Sequence, residues 1–175
     1  MFSIFKRKES QVPVKDNVWM RKKSKWDACV KMASAQANAV FIAWFPATQT
    51  ELATHFSTYG INNSVLLATQ LTTARAEELI IFVEHYPLSH TEQALFKKLG
   101  FHQVPVLSSL DEPLFSLFGG EKTIQLMRKM GMKEEEIIAH PMINRAIKNA
   151  QQKIASKVRA EVKADSAVDW FSKNW

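Results

Sequence analysis

The side chains in this sequence that are best suited to catalysis or metal binding are a glutamate and two histidines around one turn. Glu84 and His85 follow an apolar run typical of a buried strand, and His90 lies shortly after them. Open α/β sheets place functional groups at this position, and carboxylate and imidazole are metal ligands. The spacing matches no established ligand pattern, and no cysteine or further histidine clusters there. We therefore predict no metal site and no catalytic role at this turn.

The remaining candidates for chemistry have simpler interpretations. His140 precedes Pro141, which predicts a helix-entry residue rather than a base. Asp111 and Glu112 are adjacent, and adjacency points their carboxylates apart. Cys29 is the single cysteine, which excludes an internal disulfide framework and a multi-cysteine metal site. The sequence thus offers no catalytic residue, no metal and no cofactor.

A nucleotide-binding loop is also missing from the sequence. Such a loop needs a glycine-rich turn followed by Lys and Ser or Thr, so that backbone amides converge on phosphates. The chain has five glycines, and none is directly followed by Lys-Ser or Lys-Thr. We therefore expect no ATP hydrolysis by this chain alone.

The positive charge of the chain is concentrated at its start. The net charge is +6 for 175 residues. Residues 1–25 carry eight Lys and Arg against Glu9 and Asp16, which leaves fifteen of each sign in the rest. This charge, together with Pro13, predicts a basic mobile arm over residues 1–24. The residues that we expect to make electrostatic contacts are Lys6, Arg7, Lys8, Arg21, Lys22 and Lys23.

Two interpretations of this arm stay open. In the first, the arm contacts an anionic lipid surface, a nucleic acid or an acidic protein patch. In the second, the arm is a solubilising tail without a specific partner. Its basic residues follow a very short apolar patch, an order that does not fit a secretory signal. No run of eighteen apolar residues occurs. We therefore expect a cytoplasmic chain, with peripheral contact at the inner membrane face as an option.

The elements that position these residues alternate between strand and helix. Apolar runs predict strands over residues 40–45, 64–68, 79–83 and 104–107, the last at a sheet edge because Pro105 cannot donate to a ladder. Thr48–Glu51 and Ser89–Glu92 fit capping boxes at helix starts. Gly60 and Gly100 are suited to the residue after a helix end. Strands separated by such helices indicate an α/β fold with a mainly parallel sheet flanked by helices.

The C-terminal third is predicted to be helical. One helix spans residues 121–130 and ends at Gly131, and Pro141 opens a long helix of about 20 residues with one apolar stripe from Ile143 to Val162. A small sheet domain does not need so long a stripe for cover. We therefore expect its second half and the aromatic tail to contact a partner, through Ile154, Val158, Val162, Trp170, Phe171 and Trp175.

The segment from Ser109 to Ile154 resembles the SecA-type preprotein translocase ATPase, where the second motor domain leads into the scaffold helix. The shared pattern comprises an acidic Ser-Leu-Asp, a Phe-Gly, a Leu-Met…Gly-Met turn, an Ile…His-Pro and a helix of the form I-x-x-A-Q-x-K-I. The stretch from Lys25 to Ala68 resembles the opening of the same domain, with a pattern that many α/β domains share. The family's Q-x-x-G-R-x-G-R motif would fall on Glu92–Gly100, where Lys97 and Lys98 stand and no arginine does.

This resemblance implies a RecA-like sheet of the kind found in the second domain of helicases, followed by a long C-terminal helix. It divides the chain into the arm (1–24), a degenerate motor domain (25–118), a helical scaffold-like segment (119–165) and an aromatic tail (166–175). Lysine does not reproduce the bidentate fork of an arginine finger. The implied function is a non-catalytic interaction or regulatory module of the protein-export motor, with export machinery or a second copy as its partner. The alternative is a nucleic-acid-associated module, since helicase domains share this sheet.

Overall fold

A five-stranded, all-parallel sheet organises the chain, as the strand pattern predicts. The computed structural model describes residues 10–74, 76–138 and 140–175. The strands are Val14–Trp19 (β1), Ala39–Ala43 (β2), Val65–Leu67 (β3), Leu79–Phe82 (β4) and Val104–Ser109 (β5). Their spatial order is β1-β5-β4-β2-β3, and every pairing is parallel. This architecture is consistent with a RecA-like fold.

Helices cover both faces of the sheet. They are Lys22–Ala35 (α1), Pro46–Thr58 (α2), Ser89–Lys98 (α3), Pro113–Ser116 (α4), Gly120–Lys129 (α5), Pro141–Lys157 (α6) and Ala167–Asn174 (α7), with a 3-10 turn at Ala68–Gln70. Alternate strand residues point to opposite faces. Phe41 and Ile81 therefore pack with α1 and α2, whereas Ile42 and Phe82 pack with Phe96 of α3.

The first strand corrects the predicted extent of the basic arm. Residues 14–19 form β1 and pair with β5, and α1 begins at Lys22. Val18, Trp19 and Met20 are buried. These apolar side chains outweigh the local charge, so the arm does not extend to residue 24. Lys6, Arg7 and Lys8 lie outside the described residues.

The predicted edge position of the 104–107 strand is wrong. β5 lies between β1 and β4. The amide of Val104 donates to Pro13 O (3.0 Å), so the next position along the strand faces β4. The ladder between β4 and β5 is short, with one registered pair, Phe82 and Val106. Pro105 therefore costs the sheet little at an interior strand.

The helix ends agree with the prediction from the sequence, whereas the predicted capping boxes at the helix starts do not form. Gly60 and Gly100 adopt positive φ of 65° and 70° after α2 and α3, as predicted. Neither predicted capping box forms, because α2 begins at Pro46 and α3 begins at Ser89, without side-chain caps. Glu51 and Glu92 instead form contacts between distant parts of the chain.

The long C-terminal helix ends before the apolar stripe does, because the stripe runs to Val162 and the helix ends at Lys157. α6 opens at Pro141 as predicted, with the His140 ring accepting from the amide of Met142 (3.2 Å), and it ends at Lys157. The chain then turns back, and α7 returns to the body. Its Trp170 and Phe171 join one apolar cluster with Val18 and Phe45. No helix of the described chain is both long and apolar enough to cross a membrane.

Candidate functional site

The carboxyl edge of the sheet, where open α/β folds bind ligands, is filled by the chain's own charged side chains. Lys25 of α1 is 1% exposed, and its ammonium donates to Val83 O (2.6 Å) and to the carboxylate of Glu112. Glu112 follows β5, and Val83 follows β4. A buried lysine is stable only when paired in this way.

The Glu84 carboxylate lies at this edge where other proteins bind an anion such as phosphate. It accepts the amides of Trp44 (2.8 Å) and Phe45 (3.1 Å), immediately before α2, and the hydroxyl of Thr48 (2.8 Å). Free amides at a helix start are the groups that bind phosphate in other proteins. Here an internal carboxylate already satisfies them.

Burial raises the pKa of Glu84 to about 7, although the neighbouring Lys25 ammonium and the hydrogen bond from Thr48 act in the opposite direction. Burial also raises the pKa of the Cys29 thiol to about 12. Cys29 is fully buried, as the sequence predicts, and is not a nucleophile.

Glu84 and His85 lie next to each other in sequence, but their side chains enter different clusters. The His85 ring contacts Glu92 of α3 (2.9 Å) and Asp16 of β1 (2.8 Å). Burial alone would lower the pKa of His85, but Glu92 and Asp16 outweigh it and raise the pKa to about 10. His85 is therefore a cation between two carboxylates. Within the described residues no group of histidines, cysteines and carboxylates is arranged to hold a metal.

The Asp16–His85–Glu92 triad connects four elements of the fold. Besides His85, Glu92 accepts the amide of Tyr86 (2.8 Å) and the side-chain amide of Gln151 on α6 (2.9 Å). Gln151 also donates to Tyr86 O (2.9 Å). The triad thus holds β1, the loop after β4, α3 and α6 together.

A cleft of about 720 Å³ opens beside this triad, between α3, α6 and the edge of β1. Its floor contains Asp16, His85 and Glu92. Its walls carry amide side chains, short apolar patches and two lysines. We regard this cleft as the candidate functional site, since the described carboxyl edge is filled.

The residues predicted to contact a partner are mostly internal. Ile154 and Trp170 are fully buried and Phe171 nearly so, which corrects the prediction that they form a docking surface. Val158 is half-buried against the same cluster. Val162 is 52% exposed and Trp175 38% exposed.

The physical reason is that the tail covers this surface itself. The ring of Trp170 meets Tyr86 edge-on with centroids 6.2 Å apart, and its indole N–H donates to Glu161 (2.6 Å). The side chain of Asn174 pairs with both backbone groups of Val162 (2.7 and 2.9 Å). Residues of the same chain thus cover the apolar stripe from which we predicted a partner.

The described members of the predicted electrostatic surface each have a carboxylate partner. Arg21 pairs with Glu121 (3.1 Å), Lys22 with Glu51 (3.0 Å) and Lys23 with Asp27 (2.7 Å). These pairs are exposed, so each contributes little stability. Their role in an electrostatic contact stays a prediction.

Sequence reasoning singled out Glu84, His85 and Glu112 but missed the residues that pair with them. Glu92 fits a capping box, and Lys25 is one of several charged residues in its helix. The signal that was available is a charged residue on an apolar helix face, because Lys25 and Cys29 are four residues apart and share one face. Asp16 and Gln151 carry no comparable local signal.

Comparison with known proteins finds similarity in one part of the chain. Forty-nine residues, 28% of the chain, are 49% identical to the protein translocase subunit SecA of Acidithiobacillus ferrooxidans, 45% identical to that of Psychrobacter and 43% identical to that of Acinetobacter baumannii. The match spans about 5% of the length of these relatives. No family model matches the chain. A SecA-related segment of 49 residues is therefore present in this chain.

Proposed function

We propose that this chain is a non-catalytic interaction module of the protein-export system, and that its partner is the translocase subunit SecA. The observation that carries this proposal is the combination of a SecA-related segment with an anion position occupied by Glu84. A second negative charge from a phosphate would meet the Glu84 carboxylate at the amides of Trp44 and Phe45. The sequence supplies no phosphate loop elsewhere.

The surface that we propose for this contact is the outer face of α5 with the start of α6. Both helices lie in the stretch that resembles SecA. Leu126 of α5 is 52% exposed, and Met130, the residue directly after α5, is 71% exposed one turn away. Met142 of α6 is 68% exposed. Methionine-rich apolar surfaces adapt to a protein partner. We place the module on the cytoplasmic side of the membrane, where a translocase subunit would meet it.

The direct test uses the whole chain and purified SecA from the same organism. We expect saturable binding by biolayer interferometry, weakened at least tenfold by Leu126→Ser with Met130→Ser. Tyr59→Ser is the matched control, because Tyr59, directly after α2, is 57% exposed and lies outside the stretch from Ser109 to Ile154 that resembles SecA. Absence of binding to SecA would refute the proposed partner.

A separate titration tests the absence of catalysis. Calorimetry with magnesium ATP should give no binding heat, and the chain alone should release no phosphate from ATP. Micromolar affinity for magnesium ATP would show that the filled anion position does not keep nucleotide out, and phosphate release by the chain alone would make the non-catalytic part of the proposal wrong.

A further inference from the structure

β1 is an edge strand that is closed at both ends and open in the middle. Because the amide of Val104 donates to Pro13 O, the even-numbered residues of this strand direct their backbone groups away from the sheet. At one end the side-chain amide of Gln93 pairs with both backbone groups of Val12 (2.8 and 3.1 Å). At the other end Ile138 donates to Val18 O (2.7 Å).

Between these two closures lie Val14 and Asp16. Their outward amide and carbonyl groups have no hydrogen-bond partner in the described parts of the chain. Both residues line the cleft. The Asp16 side chain is only 8% exposed while the residue as a whole is partly exposed, so solvent reaches its backbone. The two closures, at Val12 and Val18, are about 20 Å apart at the usual strand rise, and the open backbone groups of Val14 and Asp16 lie between them.

The shape of the cleft restricts what can pair with this edge. α3 and α6 form its walls, so the edge lies at the bottom of a recess rather than on an open face. Walls beside the edge favour a narrow occupant over the edge strand of a second sheet. A single extended polypeptide is narrow enough, and Gln93 on Val12 shows that an amide group pairs with this edge.

The charge of the cleft selects among such segments. The two acidic side chains of the lining, Asp16 and Glu92, are both engaged with His85. Lys97 on α3 and Lys148 on α6 stand on opposite walls. Lys148 is exposed and belongs to no ion pair in the described chain. An acidic side chain on the bound segment would pair with the exposed Lys148 ammonium.

From this geometry we propose that the cleft binds an extended segment of a partner protein, bearing an acidic residue, as a sixth strand on Val14 and Asp16. Strand addition of this kind takes its affinity from main-chain hydrogen bonds and its specificity from side-chain contacts. The inference rests on the proposed function as an interaction module, and it identifies a second contact surface beside α5. We expect a short extended peptide to bind saturably, rather than the surface of a folded domain.

The test uses the whole chain, labelled with ¹⁵N, and the blocked peptide acetyl-Thr-Val-Glu-Val-Thr-amide. Titration to millimolar peptide should shift the backbone amides of Val14 and Asp16 most strongly. The same peptide with N-methylated amides should not bind, and the peptide with Lys in place of Glu should bind more weakly. Shifts that avoid β1, or no saturable binding, would overturn the proposal, as would an RNA oligonucleotide that competes for the same amides.

Two pairs of variants separate backbone pairing from charge. Val14→Pro removes an outward donor that β5 does not use, so the sheet should stay intact and the affinity should fall about fivefold. Val14→Thr keeps the amide and should bind as the natural chain does. Lys148→Glu should lower affinity for the Glu peptide by about threefold and raise it for the Lys peptide, whereas Lys129→Glu on α5, outside the cleft, should do neither.

The two proposals fail independently. If the chain binds SecA but no peptide shifts β1, the strand-addition inference is wrong and the proposed partner stands. If the peptide binds at Val14 and Asp16 but SecA does not bind, the partner is wrong and the cleft assignment stands.

Discussion

The buried carboxyl of Glu84 should make the stability of this protein depend on pH in a direction opposite to that of an ordinary paired carboxylate. Its pKa is raised from the usual 4.5 to about 7, with burial as the main cause. A raised carboxyl pKa means that the folded state favours the neutral acid. Stability is therefore lost as the pH rises from 4.5 to 7, and the loss is complete above that range.

The change that tests this is Glu84→Gln, which keeps the shape and removes the charge. The glutamine oxygen would accept the amides of Trp44 and Phe45, and the Thr48 hydroxyl would turn to accept from the new amide group. A difference of about 2.5 pKa units corresponds to about 3 kcal/mol. We expect the variant to equal the natural protein near pH 4.5 and to exceed it by about 3 kcal/mol above pH 7.

Urea unfolding followed by tryptophan fluorescence, at half-unit steps from pH 5 to pH 8, measures this directly. Glu51→Gln is the matched control. Although burial acts to raise the pKa of Glu51, hydrogen bonds from Trp26 and Lys22 lower it overall, so its stabilising effect is lost as the pH falls. If Glu84→Gln destabilises the protein equally at pH 5 and pH 8, Glu84 is ionised throughout and the reasoning fails.

Three further predictions concern the tail, the triad and the last long helix. Trp170→Ala should cost about 3–5 kcal/mol in thermal or urea unfolding, whereas Trp175→Ala, at a partly exposed ring, should cost below about 1 kcal/mol. The His85 ring should stay protonated at pH 8 in ¹⁵N NMR, and its stabilising effect, complete below pH 6.5, should be lost as the pH rises through 10. Ile154→Asp should unfold the chain rather than only release a partner, while Ser156→Asp on the exposed side of the same helix should leave the circular dichroism unchanged.

Most of the sheet is predictable from the sequence because its central strands are buried on both faces. Continuous apolar runs at β2 and β4 identify such strands without reference to partners. β1 escapes this logic, since Lys15, Asp16 and Asn17 interrupt its apolar residues. Only its register against β5, set by residues 90 positions away, makes it a strand.

The site is less predictable than the fold because its members meet through tertiary structure. Glu92 fits a helix cap by spacing, yet the loop that carries His85 recruits its carboxylate. The apolar stripe from Ile143 to Val162 was predicted to be longer than the body needs, but a stripe does not reveal what covers it. Here Trp170 covers it.

The filled carboxyl edge and the open lateral edge support the same interpretation. A motor domain uses the carboxyl edge of its sheet for nucleotide. In this chain Lys25 pairs with Glu112 at that edge, and Glu84 accepts the amides of Trp44 and Phe45. Charges that are buried and paired cannot exchange for a ligand without leaving a partner unsatisfied, which costs several kcal/mol. The lateral edge at Val14 has the opposite character, because its outward backbone groups have no partner within the described residues and would exchange water for a bound segment. This contrast between the two edges supports the proposal of a module that recognises proteins rather than nucleotides.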